Sequence, residues 1–461
     1  MLKSITPFLA TALLTGCSLA PRYEQPIAPV AATYPTGSDR VDGPSIDTLT
    51  WSEFFGDARL RAVIQLALDH NTDLQVAALR VERVRALYNI QRTALIPTLN
   101  ATGDAVRQRT PGDLNSTGAP VTTSSYQVGL EIPSYELDFF GRVASLRDQV
   151  LQQYLASEEA ARSARISLVS AVARQYLAAL ALDEQFALAR QTFASADRAY
   201  DLNRQSFEAG VASELDLATA EAQREAVRAT LAAIEAQRDQ AHNALTLLVG
   251  TTLPTDLPPG GSLATQNLIA DLPVGLPADL LTHRPDILAA EHVLQAANAN
   301  IGVARAAFFP SIKLTASGGT ASADLSGLFE SGSGAWRFAP SITVPIFAAG
   351  ANKARLEVAE IETRIEVANY QRAIQTAFRE VADTLAVRRS IAVQIAAQSA
   401  RVAAAQRRFD LSTQRFDAGV DSYLTVLLAQ QELFGAQQAL IQARLTESTN
   451  LTALYAALGG G

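Results

Sequence analysis

Phe416-Asp417-Ala418-Gly419-Val420-Asp421-Ser422 decides the fold, because Phe207-Glu208-Ala209-Gly210-Val211-Ala212-Ser213 repeats it between equally long helical patterns. Each copy reads as a helix end and a helix start: a Gly suited to the left-handed closing position, then Ser as an N-cap. Ser213 precedes Asp216 at a capping-box-like spacing, and Asp421 beside Ser422 is a second candidate cap. Both stretches are expected to be tight turns between antiparallel helices, in a chain built as two copies of one plan.

Upstream of the first turn nothing breaks the helical pattern from Gly141 to Ala209, a rod of about 100 Å at about 1.5 Å per residue. Gly350 opens the matching rod. Phe186, Phe193, Tyr200 and Phe207 recur every seven residues, and an offset of 209 carries them onto Ile395, Val402, Phe409 and Phe416. Leu427, Phe434 and Ile441 continue the period on the return helix. A sustained seven-residue period means supercoiled helices, with these residues as their packing seam.

Earlier in each copy the offset is 213, which relates Asp73 to Asp286 and Pro97 to Pro310. A helical pattern runs from Trp51, restarts at Asn71-Thr72-Asp73 and stops at Pro97; the second copy restarts at Arg284-Pro285-Asp286 and stops at Pro310. After each proline the period becomes two. Tyr126, Val128, Leu130 and Ile132 alternate with polar or small residues, as do Trp336, Phe338, Ile342 and Val344. Each half is expected to hold one hairpin of roughly ten-residue strands, the length of a tilted membrane strand.

The expected organisation is 1–16 as signal peptide, 17–50 as an acylated extended strap and 51–250 as the first repeat, with its β-hairpin near 97–135 and helical hairpin at 141–250. A linker follows at 251–277. The second repeat fills 278–461, with hairpins near 310–347 and at 350–458.

Among the 461 residues, 46 Asp and Glu face 38 Lys and Arg, with no basic block, so nucleic-acid binding is disfavoured. The single cysteine excludes an intramolecular disulfide and a cysteine-based metal site. It follows a short positive start, an apolar stretch too short to span a bilayer, and Leu14-Thr15-Gly16. That arrangement resembles a bacterial lipobox, with Cys17 as the acylated first residue of the mature chain and Ser18 matching an outer-membrane sorting pattern. No cofactor is expected beyond this covalent lipid.

His70, His242, His283 and His292 have no paired spacing on one helix face and read as surface or packing histidines, so no metal site is expected. No phosphate-binding loop, nucleophile elbow or Ser-x-x-Lys sequence stands in a fitting context, so an enzyme is not expected. Four amphipathic strands cannot close a barrel, since single-chain membrane barrels start at about eight strands. Closure in lipid therefore requires several copies.

Arg284-Pro285-Asp286, Ala290-Glu291, the run from Ala297 to Arg305, Phe309-Pro310 and Val344-Pro345-Ile346-Phe347 resemble the signature of the OprM/NodT branch of TolC-like outer-membrane efflux proteins. The lipobox, Trp51 to Asp57 and the closing Ala457-Leu458-Gly459-Gly460-Gly461 extend the resemblance over nearly the whole chain. It implies a mixed α + β membrane protein: a homotrimer with a twelve-stranded outer-membrane β-barrel, a periplasmic α-helical coiled-coil barrel and an equatorial belt. It implies the passive exit duct of a tripartite pump, partnered by a periplasmic adaptor and an inner-membrane transporter of the resistance-nodulation-division (RND) type.

The competing readings are a type I protein-secretion duct and a structural coiled-coil lipoprotein spanning the periplasm. On the efflux-duct reading, Gly210, Val211, Ala212 and Ser213 with Gly419, Val420, Asp421 and Ser422 are the adaptor-contact tips. A stripe of Leu424, Leu428, Gln431, Gly435, Gln438 and Gln442 occupies one face of the return helix. The resemblance puts Leu424, Leu428 and Gln431 at the periplasmic gate. The family commonly has Asp and Arg where this chain has Leu428 and Gln431, so an apolar gate is expected in place of a charged latch.

Overall fold

The computed structural model describes residues 18–35, 49–116, 118–269, 272 and 277–460. The expected signal peptide and Cys17 lie outside the described residues. The chain forms two compact units.

One unit holds Arg80–Glu158, Ala289–Gln371 and the strap up to Ile27. Its centre is a single antiparallel meander in the order β1-β2-β3-β4: β1 (Asn100–Thr110), β2 (Val121–Leu137), β3 (Ser311–Ser322) and β4 (Gly334–Thr343). The two expected hairpins thus pair through β2 and β3. Cross-strand partners share a face. On one face stand Leu130, Gly318 and Trp336, then Ile132, Ala316 and Phe338; on the other stand Asn100, Glu131, Ser317 and Arg337. The alternation seen in the sequence is therefore a lipid-type face backed by a polar face. A register shift between Ile132 and Tyr135 bends β2 near its lower end. Higher up the polar face, Gly129 pairs with Gly319, and a Cβ on Gly129 would lie 2.6 Å from the Gly318 carbonyl oxygen.

In the same unit the strap lies along helix α7 (Pro285–Ala306). Asn298 donates to the Pro21 carbonyl at 2.9 Å and Arg305 to the Leu19 carbonyl at 3.2 Å. Tyr23 donates to Glu291, and Gln25 to the Tyr370 hydroxyl. The extended segment has few backbone partners of its own, and α7 supplies them.

The other unit gathers Ala28–Leu79, Glu159–Leu288 and Arg372–Gly461. The helical pattern expected to run on from Trp51 is interrupted: α1 (Trp51–Phe54) ends at Phe55, which bridges to Leu268, before α2 (Ala58–His70) begins. Gly56 is pressed against the Asn267 backbone, and Asp57 then caps α2 by accepting from the Leu60 amide at 2.7 Å. Phe54 stacks on Tyr455 at 4.4 Å, and Phe54, Phe55, Leu60, Ile64 and Leu454 are fully buried around them. Helix α3 (Thr72–Thr93) starts at Asn71, whose side chain accepts from the Leu74 amide.

The rods are α4 (Arg142–Glu208) and α8 (Ala351–Asp417), with return helices α5 (Glu214–Val249) and α9 (Tyr423–Ala457); α6 (Leu280–His283) is one turn. Their seam corrects the expected one. In the parts of the rods nearest the tips, the buried positions on α4 include Ala189, Ala196 and Asn203, and on α8 Ile391, Ala405 and Ser412, which keep the seven-residue period but stand on a neighbouring row. The aromatics flank this row: Tyr200, Phe409 and Phe416 pack half-buried around Ala220, Tyr423, Val426 and Leu427, while Phe207 is exposed. On α9 Leu427 and Ile441 are buried as expected, but between them it is Leu433 that is buried while Phe434 is half-buried. Small residues allow close helix approach, so they take the inside of the seam and the large rings close its edge.

Sequence duplication is also structural duplication. Asn71 donates to the Leu248 carbonyl at 2.8 Å, and Arg284, its counterpart, donates to the Ala457 carbonyl at 2.8 Å. The same joint, helix start to return-helix end, is built twice.

Candidate functional site: the helical tips and the stripe beside them

Both tips close with one backbone device. Gly210 and Gly419 have φ of +77° and +72°, where glycine carries no Cβ penalty. In the first tip the Gly210 amide donates to Phe207 and the Val211 amide to Ser206. In the second, the Gly419 amide donates to Phe416 and the Val420 amide to Arg415. Each is a Schellman motif that satisfies the last helical carbonyls.

The helix starts differ. Ser213 and Asp216 form the expected capping box, with the Asp216 amide donating to the Ser213 hydroxyl at 3.2 Å and the Ser213 amide to the Asp216 carboxylate at 3.2 Å. Asp421 does not cap α9, contrary to expectation. Its carboxylate takes Nε and an Nη of Arg415 at 2.6 and 3.0 Å, and Ser422 stands at the cap with no side-chain hydrogen bond. A bidentate guanidinium is a stronger partner than a single amide. Hydrogen bonding by Arg415, reinforced by its charge, holds the Asp421 carboxyl below the usual carboxylate value.

Between these anchors the tips offer apolar surface to water. Val211 is 83% exposed and Val420 63%. Gly210 and Gly419 beside them are exposed, and Ala212 is half-buried.

The stripe begins one residue into α9. Tyr423, Val426 and Leu427 pack with Ala220, which turns Leu424 and Leu428 outward, 52% and 49% exposed in the single chain. Gln431 follows on that face and donates to Gln223 of α5 at 2.8 Å, joining the two return helices. The structure thus brings Leu424, Leu428 and Gln431 together as one face, separate from the seam.

Reading for motifs gave Arg284 no role of its own. It is buried to 7% exposure, with Asp286 on its Nε and an Nη, and Glu380 and the Ala457 carbonyl on its other Nη. The signal was its place at a helix start beside Pro and Asp. The four histidines are scattered: His292 meets Gln152, His242 meets Asp183 and His283 meets the Asp279 carbonyl. Among the described residues no three His, Cys, Asp or Glu side chains are grouped to hold a metal ion.

One unit thus carries a sheet with a lipid-type face, and the other carries the tips of two helical hairpins. Residues 63–251 and 276–460 match the model of the outer membrane efflux protein family, and the chain belongs to that family. It is 46% identical over 466 residues to the probable efflux pump outer membrane protein TtgC of Pseudomonas putida, covering 100% of this chain and 96% of the relative. To the solvent efflux pump outer membrane protein SrpC of Pseudomonas putida it is 48% identical over 460 residues, covering 99% and 97%. The open-state crystal structure of the Neisseria gonorrhoeae MtrE outer membrane channel superposes with a TM-score of 0.88 at 41% identity, covering 96% of this chain and 98% of that one. The protein is an outer-membrane efflux channel of the TolC-like fold with its helical part in the periplasm, and it is not an enzyme.

Proposed function

We propose that three copies of this chain close one twelve-stranded barrel and a continuous helical tube, and so form the exit duct of a tripartite pump. The observation that carries the reading is the open four-stranded sheet: β1 and β4 are edges without a partner among the described residues, on a sheet with a lipid-type face. Unpaired backbone is not tolerated in lipid, so neighbouring copies must supply the missing strands.

On this reading a periplasmic adaptor grips Val211 and Val420 at the tips, and an inner-membrane transporter of the RND type supplies the energy. Leu424 and Leu428 from three copies meet as apolar rings that close the narrow end by dewetting. Acyl chains on Cys17 anchor the strap, each buried CH₂ adding about 0.8 kcal/mol. The names of the toluene efflux pump protein TtgC and the solvent efflux pump protein SrpC support small apolar solvents as cargo, and that of the antibiotic efflux pump protein ArpC supports drugs.

The test is the mass of the detergent-solubilised complex together with its single-channel conductance in a planar bilayer. A trimer that conducts supports the reading; a stable monomer with the same β content overturns it. Val211→Glu with Val420→Glu leaves both turns intact and is expected to abolish efflux and adaptor cross-linking.

A further inference from the structure

Strand parity assigns a role to two arginines that the duct itself does not use. Ala101, Gly103 and Ala105 of β1 share the lipid-type face with Leu130, Val128 and Tyr126 of β2. The same parity continues to Arg107, opposite Ser124, and to Arg109, opposite Thr122. Both arginines are exposed, and neither has a carboxylate or hydrogen-bond partner among the described residues.

Their height follows from the register. The lipid-type rows run from Leu137, Ile312 and Ile342 up to Ala105, Tyr126 and Ser322. That is roughly 34 Å of strand at about 3.4 Å per residue, or roughly 26 Å of height at a tilt of about 40°, close to the ~25 Å apolar band of outer-membrane barrels. Tyr126 stands at the upper rim, where girdle aromatics belong. Arg107 and Arg109 come about 5 and 10 Å higher on the same face. The opposite end of the sheet runs into the helices, which lie in the periplasm, so this rim is the outer one.

We propose that Arg107 and Arg109 form a binding site for the phosphate groups of a lipid headgroup in the outer leaflet. A guanidinium matches phosphate with two parallel hydrogen bonds, and two arginines spaced by one strand pitch present two such forks toward lipid. A free anion would be met equally well by a cation on the polar face; here the polar-face neighbours, Val106, Gln108 and Thr110, carry no charge. The proposal rests on the sheet facing lipid as part of a closed barrel.

The full-length protein in lipid nanodiscs is titrated with lipid A and with dephosphorylated lipid A, and bound lipid is counted by native mass spectrometry. The double variant Arg107→Gln with Arg109→Gln is expected to lose about tenfold or more in lipid A affinity, with binding of the dephosphorylated lipid unchanged. Arg107→Lys with Arg109→Lys is expected to retain part of it, and Arg337→Gln on the polar face all of it. An equal loss for both lipids means acyl packing alone and overturns the site. So does full competition by inorganic phosphate, which means a free-anion site, and so does an unchanged affinity. A protein that fails to insert into nanodiscs as a barrel overturns the membrane reading itself, an outcome distinct from insertion without phosphate preference.

Discussion

Arg415 holds Asp421 across the second tip through two parallel hydrogen bonds of 2.6 and 3.0 Å. The matching positions in the first tip are Ser206 and Ala212, which can form no such pair. Two turns with one backbone therefore differ in what locks them: an ion pair in one and a capping box in the other.

Acid should separate the two turns. The Asp421 carboxyl titrates below its ordinary value of 3.8 because Arg415 binds its charged form. The folded value being the lower one, its contribution is present above the ordinary value and is lost as pH falls through the depressed one. Hydrogen exchange, corrected for intrinsic rates, should report loosening of the second tip over that interval. Asp421→Asn should remove the pH dependence; a profile identical to the unaltered protein would mean that the pair does not hold the turn.

Alanine at Gly210 or Gly419 meets open space but a left-handed backbone. Each substitution should cost about 1 kcal/mol of local stability, visible as faster exchange at that tip alone. The thermal midpoint of the whole complex should stay unchanged, since the loss is confined to an exposed turn.

The duplicated joint should fail unequally. Arg284→Met leaves Asp286 and Glu380 without their cation and should destabilise by about 3 kcal/mol. Asn71→Ala loses a cap and one bond to Leu248, about 1 to 2 kcal/mol. Thermal unfolding in detergent should rank the two in that order, and a reversed ranking would count against Arg284 as the stronger stitch.

Changing Leu424 and Leu428 together to Ser should raise basal conductance and vancomycin sensitivity while leaving trimer stability nearly intact, because their side chains stand outside the seam of Leu427 and Ala220. A weakened trimer with unaltered conductance would show that they pack between copies.

Cys17→Ser should abolish acyl labelling and processing, as it removes the only thiol in the chain. Labelling that persists in mass spectra of the purified protein would exclude Cys17 as the lipid site.

Much of this architecture was legible because duplication and strand parity are arithmetic. Offsets of 213 and 209 marked the repeats, and the alternation from Tyr126 to Ile132 marked the faces. The phase of the helical seam was legible on α9 at Leu427 and Ile441 but not along the rods. Large rings such as Phe193 and Phe434 draw the eye, whereas close helix packing buries Ala196 and Ala405, whose hydrophobic signal is slight. Asp421 misled for a related reason: sequence shows an acid beside a helix start but not a guanidinium six residues back across a turn. The break at Gly56 depends on Asn267, far away in the chain. Leu424 and Leu428 were separable from Leu427 by spacing, but only Ala220 and Tyr423 fix which way that face turns.

The pairing of Gly129 with Gly319 leaves the centre of one row on the sheet's polar face without side chains, flanked by Thr102 and Ala335 at its ends. On the proposed barrel this face lines the bore, and the row would offer passing cargo peptide groups, the Ala335 methyl and the single Thr102 hydroxyl, with no charge to detain it. Any larger residue at either glycine would act twice, adding bulk to that bare row and wedging β2 from β3, since its Cβ would strike the facing backbone. The bareness of this face and the adhesion between the two halves of the chain thus depend on the same missing atoms.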